Sequence, residues 1–131
     1  MRFTKTLAYE TLAKKTREGE GDILDKFFVI EILRDHFGLH GLTGEIAKID
    51  EDSYRLPDIL IKTNPRTCIE LEGEIHGNGE QITKRDKDIT RDEDYKKAGY
   101  NLILIFKQEK LGYTKQNIID SLIKGGLVSC K

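Results

Sequence analysis

Cysteine is scarce in this chain of 131 residues: there are two, Cys68 and Cys130, and no Cys-x-x-Cys pair. That scarcity argues against a disulfide framework or a zinc knuckle, and leaves Cys68 as a small apolar residue in a strand-like run. Long apolar runs are missing too. None approaches the roughly 20 residues that span a bilayer, and the opening MRFTKTLAYETLAKK lacks the apolar block of a secretory signal. The expectation is an intracellular, cytoplasmic protein with no membrane partner. Nor is there an excess of one charge: 22 lysines and arginines stand against 23 aspartates and glutamates, a net charge of −1. A polycation that coats nucleic acid indiscriminately is thereby disfavoured, but a local basic face is not. There is no internal repeat and no low-complexity tract.

What is present reads as one globular domain over residues 1–131, with residues 1–20 an N-terminal helix or arm. Apolar residues make up 37% and charged residues 34%, enough for a core without staples. Thr4 to Arg17 has the spacing of a short amphipathic helix. Asp22 is a good N-cap for ILDKFFVIEILRDHF, whose apolar residues share one broad face, and Gly38 stops it. Strands are predicted over Glu45–Asp50, Pro57–Thr63 and Thr67–Glu74, the last two joined by a turn at Asn64-Pro65-Arg66. A charged helix follows from Glu80 to about Ala98, ended by Gly99. YNLILIF, from Tyr100 to Phe106, reads as a strand covered on both faces. Thr114 starts a last helix. His36 and His40 have helical metal spacing, but Gly38 falls between them and the ordinary reading is two histidines near a helix end.

The hairpin carries an unusual set of acids. Glu70, Glu72 and Glu74 alternate onto one face of their strand, with Ile69, Leu71 and Ile75 on the other. The turn folds Asp58 back towards Glu70. Two carboxylates at close range repel, so one pKa rises unless a cation neutralises them, and oxygen ligands suit Mg²⁺ or Mn²⁺. The bland alternative is a solvated face on a sheet edge, which suits Glu74. The next helix alternates Lys84, Arg85, Lys87, Arg91, Lys96 and Lys97 with aspartates. A solvated, ion-paired surface helix explains most of these charges. Lys84, Arg85 and Arg91 are the candidates for touching phosphates. Lys5, Lys14, Lys15 and Arg17 could form an arm over DNA or an ordinary solvated helix.

Asp58, followed after a hairpin by Glu70-Leu71-Glu72, resembles the metal site of the PD-(D/E)xK nuclease superfamily. The helix–three strands–helix–strand order resembles its restriction-endonuclease-like core. IELEGEIH and then DITRDEDYKKAGYNLILIF resemble the branch related to very-short-patch-repair endonucleases. The matching positions are Glu70, Glu72, Gly73 and His76, then Asp88, Arg91, Asp92, Gly99 and Tyr100. The resemblance covers roughly Pro57 to Phe106.

It implies an α/β fold with a mixed central sheet and a C-terminal helix. It also implies a Mg²⁺- or Mn²⁺-dependent endonuclease that acts on DNA and leaves a 5′-phosphate, of nicking, homing or repair type. Asp58 and Glu70 would hold the metal with the Leu71 carbonyl. Glu72 stands where the superfamily has lysine, so Glu72 and His76 would position or deprotonate the attacking water. Many such nucleases add an acid from the first helix, and Asp25 is preferred here over Glu31. A homodimer is the simplest way for so small a domain to cut both strands. The rival readings are a junction-resolvase-like enzyme, and a catalytically silent DNA-binding or assembly module.

Overall fold

Isoleucines at alternating positions of three strands form one wall of the core: Ile59 and Ile61, Ile69, and Ile103 with Ile105. Branched side chains at period two suit a pleated surface, and burying each contributes about 2 kcal/mol. The computed structural model describes residues 2–18, 23–75 and 86–130, with backbone alone for 15–18, 74–75 and 86–88. It places the isoleucines on β3 (Ile59–Ile61), β4 (Thr67–Ile75) and β5 (Asn101–Gln108). β3 and β4 are antiparallel, β4 and β5 parallel, in the order β3-β4-β5. The parallel step needs a crossover, and α3 (Asp86–Lys97) lies within it.

Helices α2 (Ile23–Phe37) and α4 (Lys115–Lys124) cover the isoleucine wall with Val29, Leu33, Phe37, Ile118 and Leu122. On the opposite face, Leu60 and Cys68 pack with Ala47 and with Tyr95 of α3. Both faces of the sheet are therefore covered, which explains why β5 is almost continuously apolar. The helix ends fall where the sequence places them. Gly38 (φ +64°) and Gly99 (φ +89°) follow α2 and α3 in the left-handed region that favours glycine. The Thr114 hydroxyl accepts the Asn117 amide at the start of α4.

Among the described residues the fold is thus mixed α/β, with four helices and a mixed three-stranded sheet. One strand departs from expectation. Of Glu45–Asp50 only β1 (Ala47–Lys48) is extended, and it pairs with β2 (Tyr54–Arg55) in a separate two-stranded ribbon. The ribbon turns on Asp50, whose carboxylate accepts the Asp52 amide at 3.0 Å. α1 (Lys5–Glu18) packs against β2 and buries Ala8, while Phe3 and Tyr54 exchange backbone hydrogen bonds at 2.8 Å. Among the described residues, no helix is long and apolar enough to cross a membrane.

Candidate active site

The β3–β4 register sets the site. Ile59 lies opposite Ile69, so the same register brings Asp58 opposite Glu70. Pro57 has no N–H to continue the ladder, and the chain bends at Asp58. The Asp58 amide then donates to Glu70 Oε1 at 3.3 Å, and Asp58 Oδ2 accepts the Leu71 amide at 2.8 Å. The two carboxylates are brought together as the hairpin predicted. A residue's N–H and C=O point to the same side of its strand, so the Leu71 carbonyl also opens towards Asp58.

Two cationic side chains meet these acids. Lys26 of α2 is buried, with Nζ 3.6 Å from Asp58 Oδ1. Arg91 of α3 reaches down onto β4, where Nη1 lies 3.5 Å from Glu70 Oε2 and Nη2 donates to Glu72 Oε1. Arg91 also donates to Asp92 Oδ1, from Nε at 3.1 Å and from Nη2 at 3.0 Å. The Tyr95 hydroxyl, one turn further along α3, donates to Glu70 Oε1 at 3.3 Å. Past Glu72 the β4–β5 register shifts, and the Tyr113 hydroxyl donates to the Glu72 carbonyl at 2.6 Å.

Among the described residues this network holds four carboxylates, those of Asp58, Glu70, Glu72 and Asp92, against Lys26 and Arg91. Surplus negative charge away from water is costly. Glu70 bears the cost: burial, and then the charge of Asp58, push its pKa up to about 8. Burial opposes the charge on Arg91, but Glu70 and Glu72 outweigh it and raise the guanidinium pKa further. Burial and the neighbouring Glu70 likewise hold Tyr95 in its neutral form, as a donor. Beside the cluster, burial pushes the Cys68 thiol up to about 12, in keeping with an inert core residue.

The helical acids fall differently from expectation. Asp25 is half-buried and Glu31 exposed, and it is the neighbour Lys26 that α2 turns towards Asp58. Successive helical residues diverge by about 100°, so Asp25 and Lys26 face different ways. Arg91 is turned inward onto the glutamates. The acids of α3 are not a solvated set either, since Asp92 and Asp94 are buried. Asp94 anchors a second ionic node, accepting from Arg55 Nε at 2.8 Å and from Arg2 Nη2 at 2.6 Å. Those bonds, Arg2 first, hold its carboxyl down at about 2. Arg2 and Phe3 thus tie the N-terminal stretch to the domain, whereas Lys5 and Lys14 remain exposed.

His76, Lys84 and Arg85 lie outside the described residues, as do the side chains of Glu74 and Asp88. Among the described residues no group of three or more His, Cys, Asp or Glu side chains has the arrangement of a metal site. Sequence reasoning missed Lys26, Tyr95 and Arg55. Lys26 did carry a signal. It continues the buried stripe of Val29 and Leu33 back by one turn, and a lysine in such a stripe needs a partner. No family description, curated protein or solved structure matches this chain.

Proposed function

We propose that the chain is a metal-dependent endonuclease that hydrolyses phosphodiester bonds in DNA, built on a restriction-endonuclease-like core. The observation that carries this reading is the meeting of Asp58 and Glu70 across the hairpin beside the buried Lys26. The sequence of α2, an antiparallel hairpin, the helical crossover and parallel β5 supports the choice of core.

Asp58, Glu70 and the Leu71 carbonyl form a hard oxygen donor set, which fits Mg²⁺ or Mn²⁺. Such an ion, when bound, polarises a phosphoryl oxygen and acidifies a water. The chain's own groups do the remainder. Glu70 would serve as a ligand only in its ionised form, with its proton released to solvent. Lys26, fixed by the Asp58 carboxylate, supplies the positive charge that Glu72 does not, at the edge of the same carboxylate pair. It orients the attacking water and offsets charge developing on the phosphate. Arg91 keeps Glu70 and Glu72 apart in charge and fastens β4 to α3. In this reading His76 carries the proton, and Lys84 and Arg85 meet flanking phosphates. A domain with one such site cuts both strands only as two copies or in two events.

Incubating the purified protein with supercoiled and branched DNA tests the proposal. Wild type is expected to cut in Mg²⁺ or Mn²⁺, while Asp58→Asn and Glu70→Gln, folded to the same extent, do not. Folded wild type that leaves all these substrates intact with either metal would overturn it. A silent DNA-binding module is the second reading. It is favoured by Arg91, which already occupies Glu70 and Glu72, and it predicts DNA binding without cleavage.

A further inference from the structure

The two oxygens of Glu70 meet different neighbours. Oε1 accepts the Asp58 amide at 3.3 Å, and Oε2 lies 3.5 Å from Arg91 Nη1. The Arg91 guanidinium is itself set among three buried carboxylates, because Nη2 also donates to Glu72 Oε1 and, at 3.0 Å, to Asp92 Oδ1. Glu70 therefore stands between Asp58 on one side and a fixed cation on the other. Arginine keeps its charge at any pH at which proteins stay folded. Enzymes that cut phosphodiesters with two metals hold them roughly 3.5–4 Å apart, a separation that the two oxygens of one carboxylate can serve.

We propose that Arg91 takes the place of a second divalent ion, so that the site binds one metal and not two. The inference rests on the nuclease reading and deepens it. Glu70 is the shared group, serving the metal together with Asp58 and serving the guanidinium through Oε2. Glu72 and Asp92, the carboxylates a second ion would need, are engaged by Arg91 instead. Arg91 is thus a positioning residue. It fixes where Glu70 stands and how many ions the acids accept.

Charge favours a single ion. Among the described residues, Lys26 and Arg91 face the carboxylates of Asp58, Glu70, Glu72 and Asp92. With all four ionised, two negative charges are left, and one divalent ion neutralises them. A second ion would leave surplus positive charge in a buried cluster, which is costly. The distances agree. Nη2 makes hydrogen bonds to Glu72 and Asp92, whereas the approach of Nη1 to Glu70 is longer than a good hydrogen bond. Arg91 is anchored mainly by the acids that the metal does not use, so Glu70 can serve a metal while Arg91 stays in place. With the guanidinium among them, no three of these acids have the arrangement of a metal site. Without it, Glu72 and Asp92 are left beside Glu70 as hard oxygen donors.

Titrating the full chain with Mn²⁺ in the absence of DNA tests this, with calorimetry to count ions and electron paramagnetic resonance to show whether they are neighbours. Wild type is expected to take one Mn²⁺ per chain, with the spectrum of an isolated ion. Arg91→Ala is expected to take two, with the broadened spectrum of a coupled pair. Arg91→Lys, which restores the charge, and the double variant R91A/E72Q, which removes a ligand, each return to one. Arg91→Gln keeps the stem and carries the same expectation as the alanine variant should that one not fold. A wild type that takes two ions overturns the proposal whatever the variants do. A wild type that takes one, with an Arg91→Ala or Arg91→Gln variant that also takes one, overturns this inference and leaves the nuclease reading standing. A folded wild type that binds no Mn²⁺ overturns both.

Discussion

Lys26 and Asp58, distant in the chain, sit 3.6 Å apart with the lysine the more buried of the two. The aspartate keeps one edge open to solvent while the ammonium backs it from within the core. Replacing Lys26 by methionine retains the apolar stem and removes the charge. Under the nuclease reading, single-turnover cleavage falls roughly 100-fold. The melting temperature changes little, because Asp58 can rehydrate. Cleavage within about threefold of wild type would show that the lysine is structural only.

Under the nuclease reading, Glu70 should couple metal binding to pH. Its folded pKa of about 8 lies above the ordinary 4.5. The metal-free fold therefore loses stability as pH rises between those values, because the unfolded chain releases the Glu70 proton there while burial makes the folded one keep it. A divalent cation needs the carboxylate ionised. Mn²⁺ affinity should thus climb up to about tenfold per pH unit below about pH 8 and level off above it, with proton release on binding. Calorimetry in buffers of different ionisation heat measures both. An affinity that stays flat from about pH 6 to about pH 8 would separate Glu70 from the metal.

Asp94 behaves in the opposite sense. Its folded pKa of about 2 lies below the ordinary 3.8, so its stabilising effect is present above the higher value and vanishes as pH falls through the lower one. Asp94→Asn leaves the buried Arg55 without its carboxylate and should cost about 3 kcal/mol at neutral pH. Urea unfolding across the acid range checks this. The gap between wild type and variant should close as the pH approaches about 2.

Local signals carried much of this architecture. Glycines ended α2 and α3, Thr114 opened α4, and the unbroken apolar run of β5 announced a strand with two covered faces. The hairpin also gave the Asp58–Glu70 pairing, because a turn and a period of two leave few registers. What stayed hidden depends on partners far along the chain. β2 is two residues long and its arginine is buried only because Asp94 meets it. The alternating charges of α3 resembled a solvated helix because sequence does not tell which aspartates turn inward. Arg91 followed the same logic: its role is set by β4 beneath it.

The contact of Arg91 with β4 has a mechanical consequence. The guanidinium is a rigid strut from the crossover helix to two neighbouring glutamates on the central strand. Any displacement of α3 along its axis therefore alters the potential at Glu70 and Glu72 together. Helix position and carboxylate charge become a single coordinate, and a load on the outer surface of α3 is felt at Asp58 through Glu70.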